Sequence, residues 1–142
     1  MQQELIKAAA MSFAHIDTLD YACHHYIYNA DNQDSQRYAD ELYRHYIRQF
    51  EQTHQKIKPA HLIRTVKSAL AESQHPATRD DGYAWTTKDR YLFAGISRTE
   101  WYRYHLNTIA KFITDDIRHR ADKVEALTAR QLSEYYRPTI DG

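Results

Sequence analysis

Residues 85–117 read WTTKDRYLFAGISRTEWYRYHLNTIAKFITDDI, and local rules divide this stretch into a short helix, a turn and a longer helix. Thr86 or Thr87 offers a side-chain oxygen to cap a helix running to Ala94, and Gly95 ends that helix because a residue without Cβ enters the left-handed region freely. Ser97-Arg98-Thr99-Glu100 has the spacing of a capping box, with the serine hydroxyl accepting from the Glu100 amide and the Glu100 carboxylate from the Ser97 amide. A second, longer helix is therefore expected to start there and continue to about Arg118. Its apolar wall is Trp101, Tyr102, His105, Leu106, Ile109, Phe112, Ile113 and Ile117, at about 100° per residue. Glu100, Arg103, Asn107, Lys111, Thr114 and Arg118 stand opposite that wall, with Tyr104 at the margin.

Upstream, the same 3.6-residue period recurs. Leu5, Ala9, Phe13, Ile16, Leu19, Cys23 and Ile27 draw one apolar stripe, with a break expected at Asp17-Thr18, whose side chains compete for nearby backbone. After a loop over 29–33, Asp34 or Ser35 caps a helix with the stripe Tyr38, Leu42, Tyr46 (or His45) and Phe50, ending near Thr53. Pro59 suits the first turn of a third, short helix that buries Leu62, Ile63, Val66, Ala69 and Leu70. SQHPATRDDG, residues 73–82, reads as a linker or exposed loop. The expected organisation is a bundle over 1–72, a linker over 73–85, and 86–142 packed with the bundle as one unit, the last part including a terminal helix over 121–136.

Composition agrees with an all-α fold. The chain has 142 residues, 42% of them hydrophobic, so a single domain with a core is expected, and three glycines and three prolines are too few for the frequent turns of a β sandwich or barrel. Charge balances at 19 Lys+Arg against 19 Asp+Glu, so any nucleic-acid contact must be local. Residues 86–111 supply such a locality, with five basic side chains (Lys88, Arg90, Arg98, Arg103, Lys111) against two acidic (Asp89, Glu100). The mean hydropathy of −0.80 and the absence of any apolar run near the ~20 residues of a bilayer span give no membrane association. One cysteine and no charged-then-apolar leader suggest a cytoplasmic setting.

The segment Thr87 to Tyr104, and Ala94-Gly95-Ile96-Ser97-Arg98-Thr99 most clearly, resembles the helix-turn-helix of bacterial and phage transcription regulators. The resemblance implies that Gly95 makes the turn, that Ile96 and Trp101 pack internally, and that double-stranded DNA is the partner. Ser97, Arg98, Thr99, Arg103 and Asn107 are then contact candidates, with Lys88 and Arg98 on phosphates and Thr99, Arg103 and Asn107 on base edges; Lys111 extends the same basic side. Tyr91 departs from the pattern, standing where the family has a small alanine, which implies a wider helix crossing or a shifted alignment. Antitermination factors, small terminase subunits and repressor-like regulators share this size and texture, and RNA polymerase or another host protein is a further partner such a role would bring.

Other constellations point elsewhere with less force. Glu51 with His54 and Glu72 with His75 have the Glu-x-x-His spacing of di-iron bundles, but both pairs fall at expected helix ends in polar surroundings, so no metal or other cofactor is expected. His24-His25 reads as structural, and Cys23 lies on the buried stripe as a small apolar group. Phosphate loops, dinucleotide fingerprints, nucleophile elbows and cysteine clusters lack their minimal residues, so no enzyme activity and no catalytic residue are expected. Tyr26, Tyr28, Tyr38, Tyr43 and Tyr46 concentrate in the first two helices, as core or as a partner surface. The competing function is therefore a protein-interaction module, an adaptor or inhibitor docking aromatic helices on a larger machine, and the terminal helix could pack on a second copy in a homodimer.

Overall fold

Six helices and no strand occur among the described residues, which are 17–30, 33–75 and 84–135 of a computed structural model. The all-α bundle expected from the glycine-poor, 3.6-periodic sequence is the architecture observed. The expected apolar positions before Asp17 lie outside the described residues, as do 76–83 and 136–142.

Helix α1 spans Thr18–Tyr28, and Asp17 starts it: its Oδ1 accepts from the Leu19 amide at 3.0 Å and the Asp20 amide at 3.2 Å. The Asp17-Thr18 break is thus a cap. Every residue from Asp20 to Ile27 is buried, including Asp20, His24 and His25. Asp20 pairs with Arg120 at 2.8 Å and Lys123 at 2.6 Å, and His24 Nε2 meets Glu125 at 2.7 Å. Burial opposes the Asp20 charge, but hydrogen bonds from Lys123 and Arg120 hold its pKa below the usual carboxylate range. Cys23 is buried among apolar neighbours, which pushes its thiol pKa upward.

Helix α2, Ser35–Thr53, buries Tyr38, Leu42, Tyr46 and Phe50 at steps of four, as the stripe predicts. Asp34 occupies its N-cap, but its side chain does not bond the first amides of the helix. Helix α3, Pro59–Gln74, opens with proline in its first turn, where the missing N–H costs nothing. It runs past residue 72, because the last turn closes on itself: the Ser73 hydroxyl donates to the Leu70 carbonyl at 2.8 Å. Besides Leu62, Val66, Ala69 and Leu70, it buries Thr65, Ser68 and Glu72.

The remaining helices are α4 over Thr87–Ala94, α5 over Arg98–Arg103 and α6 over Leu106–Tyr135. Helix α6 has 30 residues, about 45 Å at 1.5 Å per residue. It packs along α1 and α3, with α4 and α5 against its beginning. Leu106, Ile109, Ala110, Ile113, Ile117, Ala121 and Val124 form its buried side. Two expectations fail here. The helix after Gly95 is interrupted at Tyr104 and His105, and no break separates residues 106–118 from the terminal stretch. His105 takes φ 53°, a left-handed conformation uncommon for a residue with a Cβ, and the interruption resets the helical phase. Tyr102, His105 and Phe112 are consequently exposed where an unbroken helix would bury them, while Thr114 is buried and donates to the Ala69 carbonyl at 3.3 Å. Arg118 likewise turns inward, donating to the Glu72 carbonyl at 2.9 Å.

Candidate nucleic-acid interface

The turn between α4 and α5 follows from residue chemistry on both sides. Thr86 and Asp89 form a complete capping box at the start of α4: Thr86 Oγ1 accepts from the Asp89 amide at 3.1 Å, and Asp89 Oδ2 from the Thr86 amide at 3.0 Å. Gly95 closes the helix at φ 70°, ψ 32°, and the Ile96 amide reaches back to the Tyr91 carbonyl at 3.1 Å, the six-to-one bond of a Schellman motif. From below, Arg64 Nη1 donates to the Gly95 carbonyl at 3.1 Å, tying the turn to α3.

Ser97 then caps α5, its hydroxyl accepting from the Glu100 amide at 3.2 Å. The second half of the expected box is absent, because the Glu100 carboxylate engages His61 Nε2 of α3. Ile96 and Trp101 are buried, Trp101 completely, so α5 is seated by the residues expected to pack internally. Its outer side presents Arg98, Thr99, Tyr102 and Arg103, all exposed, with the Arg98 guanidinium 5.7 Å from the centre of the Tyr102 ring.

Five of the seven candidate residues therefore belong to the α4–turn–α5 unit. Ser97, Arg98, Thr99 and Arg103 share α5 or its cap, and Lys88 is exposed in the first turn of α4. Asn107 and Lys111 lie beyond the interruption, on α6. Lys111 is exposed, but Asn107 is half-buried and committed inward: its Oδ1 accepts from Arg90 Nη1 at 3.1 Å. Arg90 is itself buried and forked onto Glu72, with Nε at 2.7 Å from Oε1 and Nη2 at 3.1 Å from Oε2. The Trp85 amide also donates to Glu72 at 3.3 Å, and Ser68 Oγ to the Arg90 carbonyl at 3.2 Å. Glu72, expected in polar surroundings at a helix end, is thus the buried anchor that fixes α4 to α3.

Tyr102, expected on the apolar wall, is instead exposed beside Arg98, as His105 and Phe112 are exposed further along, and the helical period alone does not reveal the interruption after Arg103. Among the described residues no cluster of three or more His, Cys, Asp and Glu is arranged to hold a metal ion, and no helix is long and apolar enough to cross a membrane. Comparison with protein-family models, curated proteins and solved structures finds no match to this chain.

Proposed function

We propose that the chain binds double-stranded DNA in a sequence-dependent way through the α4–turn–α5 unit, as a transcription regulator of phage or bacterial type working in the cytoplasm. One observation carries this reading. The glycine turn is followed by a serine-capped helix that exposes two arginines and a threonine, while the carboxylate of that helix is withdrawn onto His61. The outward charge of α5 is thereby positive, which suits a major groove, and arginine is the side chain whose paired donors fit a guanine edge. Arg98 and Lys88 take phosphates; Thr99 and Arg103, joined by Tyr102, face the bases. Asn107 acts from behind, positioning Arg90 under α4.

Retention of a random duplex pool at low salt, weakening steeply by about 200 mM, is the expected result. Arg103→Ala should cost about 1–3 kcal/mol on the preferred site and relax base choice there, read by binding-site selection. Absence of duplex retention at low salt overturns the proposal and favours the interaction module. That second reading draws on a different place from the tyrosine-rich helices, since Tyr26, Tyr38 and Tyr46 are core residues. Leu92 and Phe93, at 62% and 57% exposure, would be its contact surface.

A further inference from the structure

We infer that the groove between the α2–α3 connection and the α5–α6 interruption seats one phosphodiester group of the duplex backbone, an inference that rests on the DNA-binding reading above. The groove is open, encloses about 590 Å³, and is walled by residues 52–57 on one side and 103–105 on the other. Its lining holds Lys56 and Arg103, two histidines and several uncharged hydrogen-bonding side chains, and no carboxylate. Among the described residues Lys56 is in no ion pair, so its charge is available to the phosphate, while Arg103 at the rim is kept for the base edge. A phosphodiester carries one negative charge and two accepting oxygens, which such a lining satisfies.

Both walls carry local bonds that hold their backbone in place. Ile57 is buried in the core, its amide donates to the His54 carbonyl at 3.1 Å, and the His54 amide donates to the Phe50 carbonyl at 2.8 Å. The His54 ring lies 5.4 Å from Phe50 and bonds Thr53 Oγ1 through Nδ1 at 2.7 Å. Opposite, the left-handed His105 is held by its amide's bond to the Tyr102 carbonyl at 3.2 Å. Strained backbone of this kind concentrates where a chain presents groups to a ligand. Arg103 belongs both to this groove and to the exposed side of α5, so the groove continues the candidate interface. An open-ended trough beside a reading helix suits a group within a polymer, whereas a free anion gains from enclosure.

The test uses the full chain, with duplex affinity measured against salt by fluorescence anisotropy. Lys56 is exposed, so Lys56→Gln leaves packing intact. It should weaken binding about five- to tenfold on every sequence alike and reduce the slope of log K against log salt by about one. Arg130→Gln, roughly 36 Å along α6 from its first residue, should change neither quantity. Wild-type affinity and slope in Lys56→Gln overturn the groove while leaving the DNA reading standing, whereas no duplex binding by the unaltered chain overturns both. A loss confined to one sequence overturns the phosphate assignment in favour of a base contact. Saturable binding of inorganic phosphate that is lost in Lys56→Gln, with duplex binding unchanged, overturns it in favour of a free anion.

Discussion

Helices α4 and α5 begin with the same four-residue grammar, Thr86-Thr87-Lys88-Asp89 and Ser97-Arg98-Thr99-Glu100, yet their carboxylates do different work. Asp89 turns back on its own helix and closes the box, whereas Glu100, one methylene longer, reaches across to His61 on α3. Their undersides differ as well: α4 stands on the buried Arg90–Glu72 ion pair, and α5 on the fully buried Trp101 ring. Thus α4 completes its own start and is fastened by charge, while α5 is positioned by its neighbours. Identical capping spacing can therefore stop a helix from fraying or dock it on another element, and the third residue after the cap decides which.

The largest expected effect comes from cutting the charged fastening of α4. Glu72→Gln leaves the Arg90 guanidinium buried at 8% side-chain exposure without its counter-charge. It should cost about 3–5 kcal/mol by chemical denaturation, because an uncompensated buried charge is worse than no pair at all. A cost under about 1 kcal/mol would mean that charge does not distinguish α4 from α5. An intermediate effect belongs to the joint between them. Gly95→Ala would place a Cβ no nearer than 3.9 Å to Arg64 Nη1, so space is available and the penalty is conformational. At φ 70° it should amount to about 1–2 kcal/mol, read from the shift of the urea midpoint at constant slope.

The smallest effect separates the two boxes by pH. The Thr86 amide first, and its hydroxyl second, hold the Asp89 pKa below the ordinary carboxylate value. A lowered folded-state pKa adds stability that is complete above the unfolded value of about 3.9 and disappears as pH falls through the folded value. The stability difference between the unaltered chain and Asp89→Asn should accordingly shrink in the acid limb. A difference that stays constant across that limb would show that the α4 box carries no linked proton.

The parts of this fold that announce themselves in the sequence are those governed by a residue and its immediate neighbours. Asp17, Pro59, Thr86, Gly95 and Ser97 each act within one helical turn, and each sits where local rules place it. The stripes of α2 and α3 were equally legible, because repetition over several turns averages out single exceptions. Tyr104-His105 was not legible: neither residue is glycine or proline, and the reversal lies between two fully buried residues, Trp101 and Leu106, whose seating is tertiary. Missing that reset misdirected Tyr102, Phe112, Thr114 and Arg118 together. Glu72 and Arg90 were hidden for a different reason. Two opposite charges 18 residues apart have no periodicity to betray them, and only the tertiary approach of α3 and α4 makes their burial tolerable. Of the candidate interface, the turn and the arginines of α5 were readable; the inward commitment of Asn107 and the participation of residues 52–57 were not.

Helix α6 borders α1, α3, α4 and α5 at once. Because one helix touches four others, a change in its packing reaches each of them. A substitution at Ile113 or Ile117, both fully buried on α6, should lower the folded population and with it the fraction of molecules that present α5. Any change in a surface property that followed would originate in the folded population and not in the surface itself.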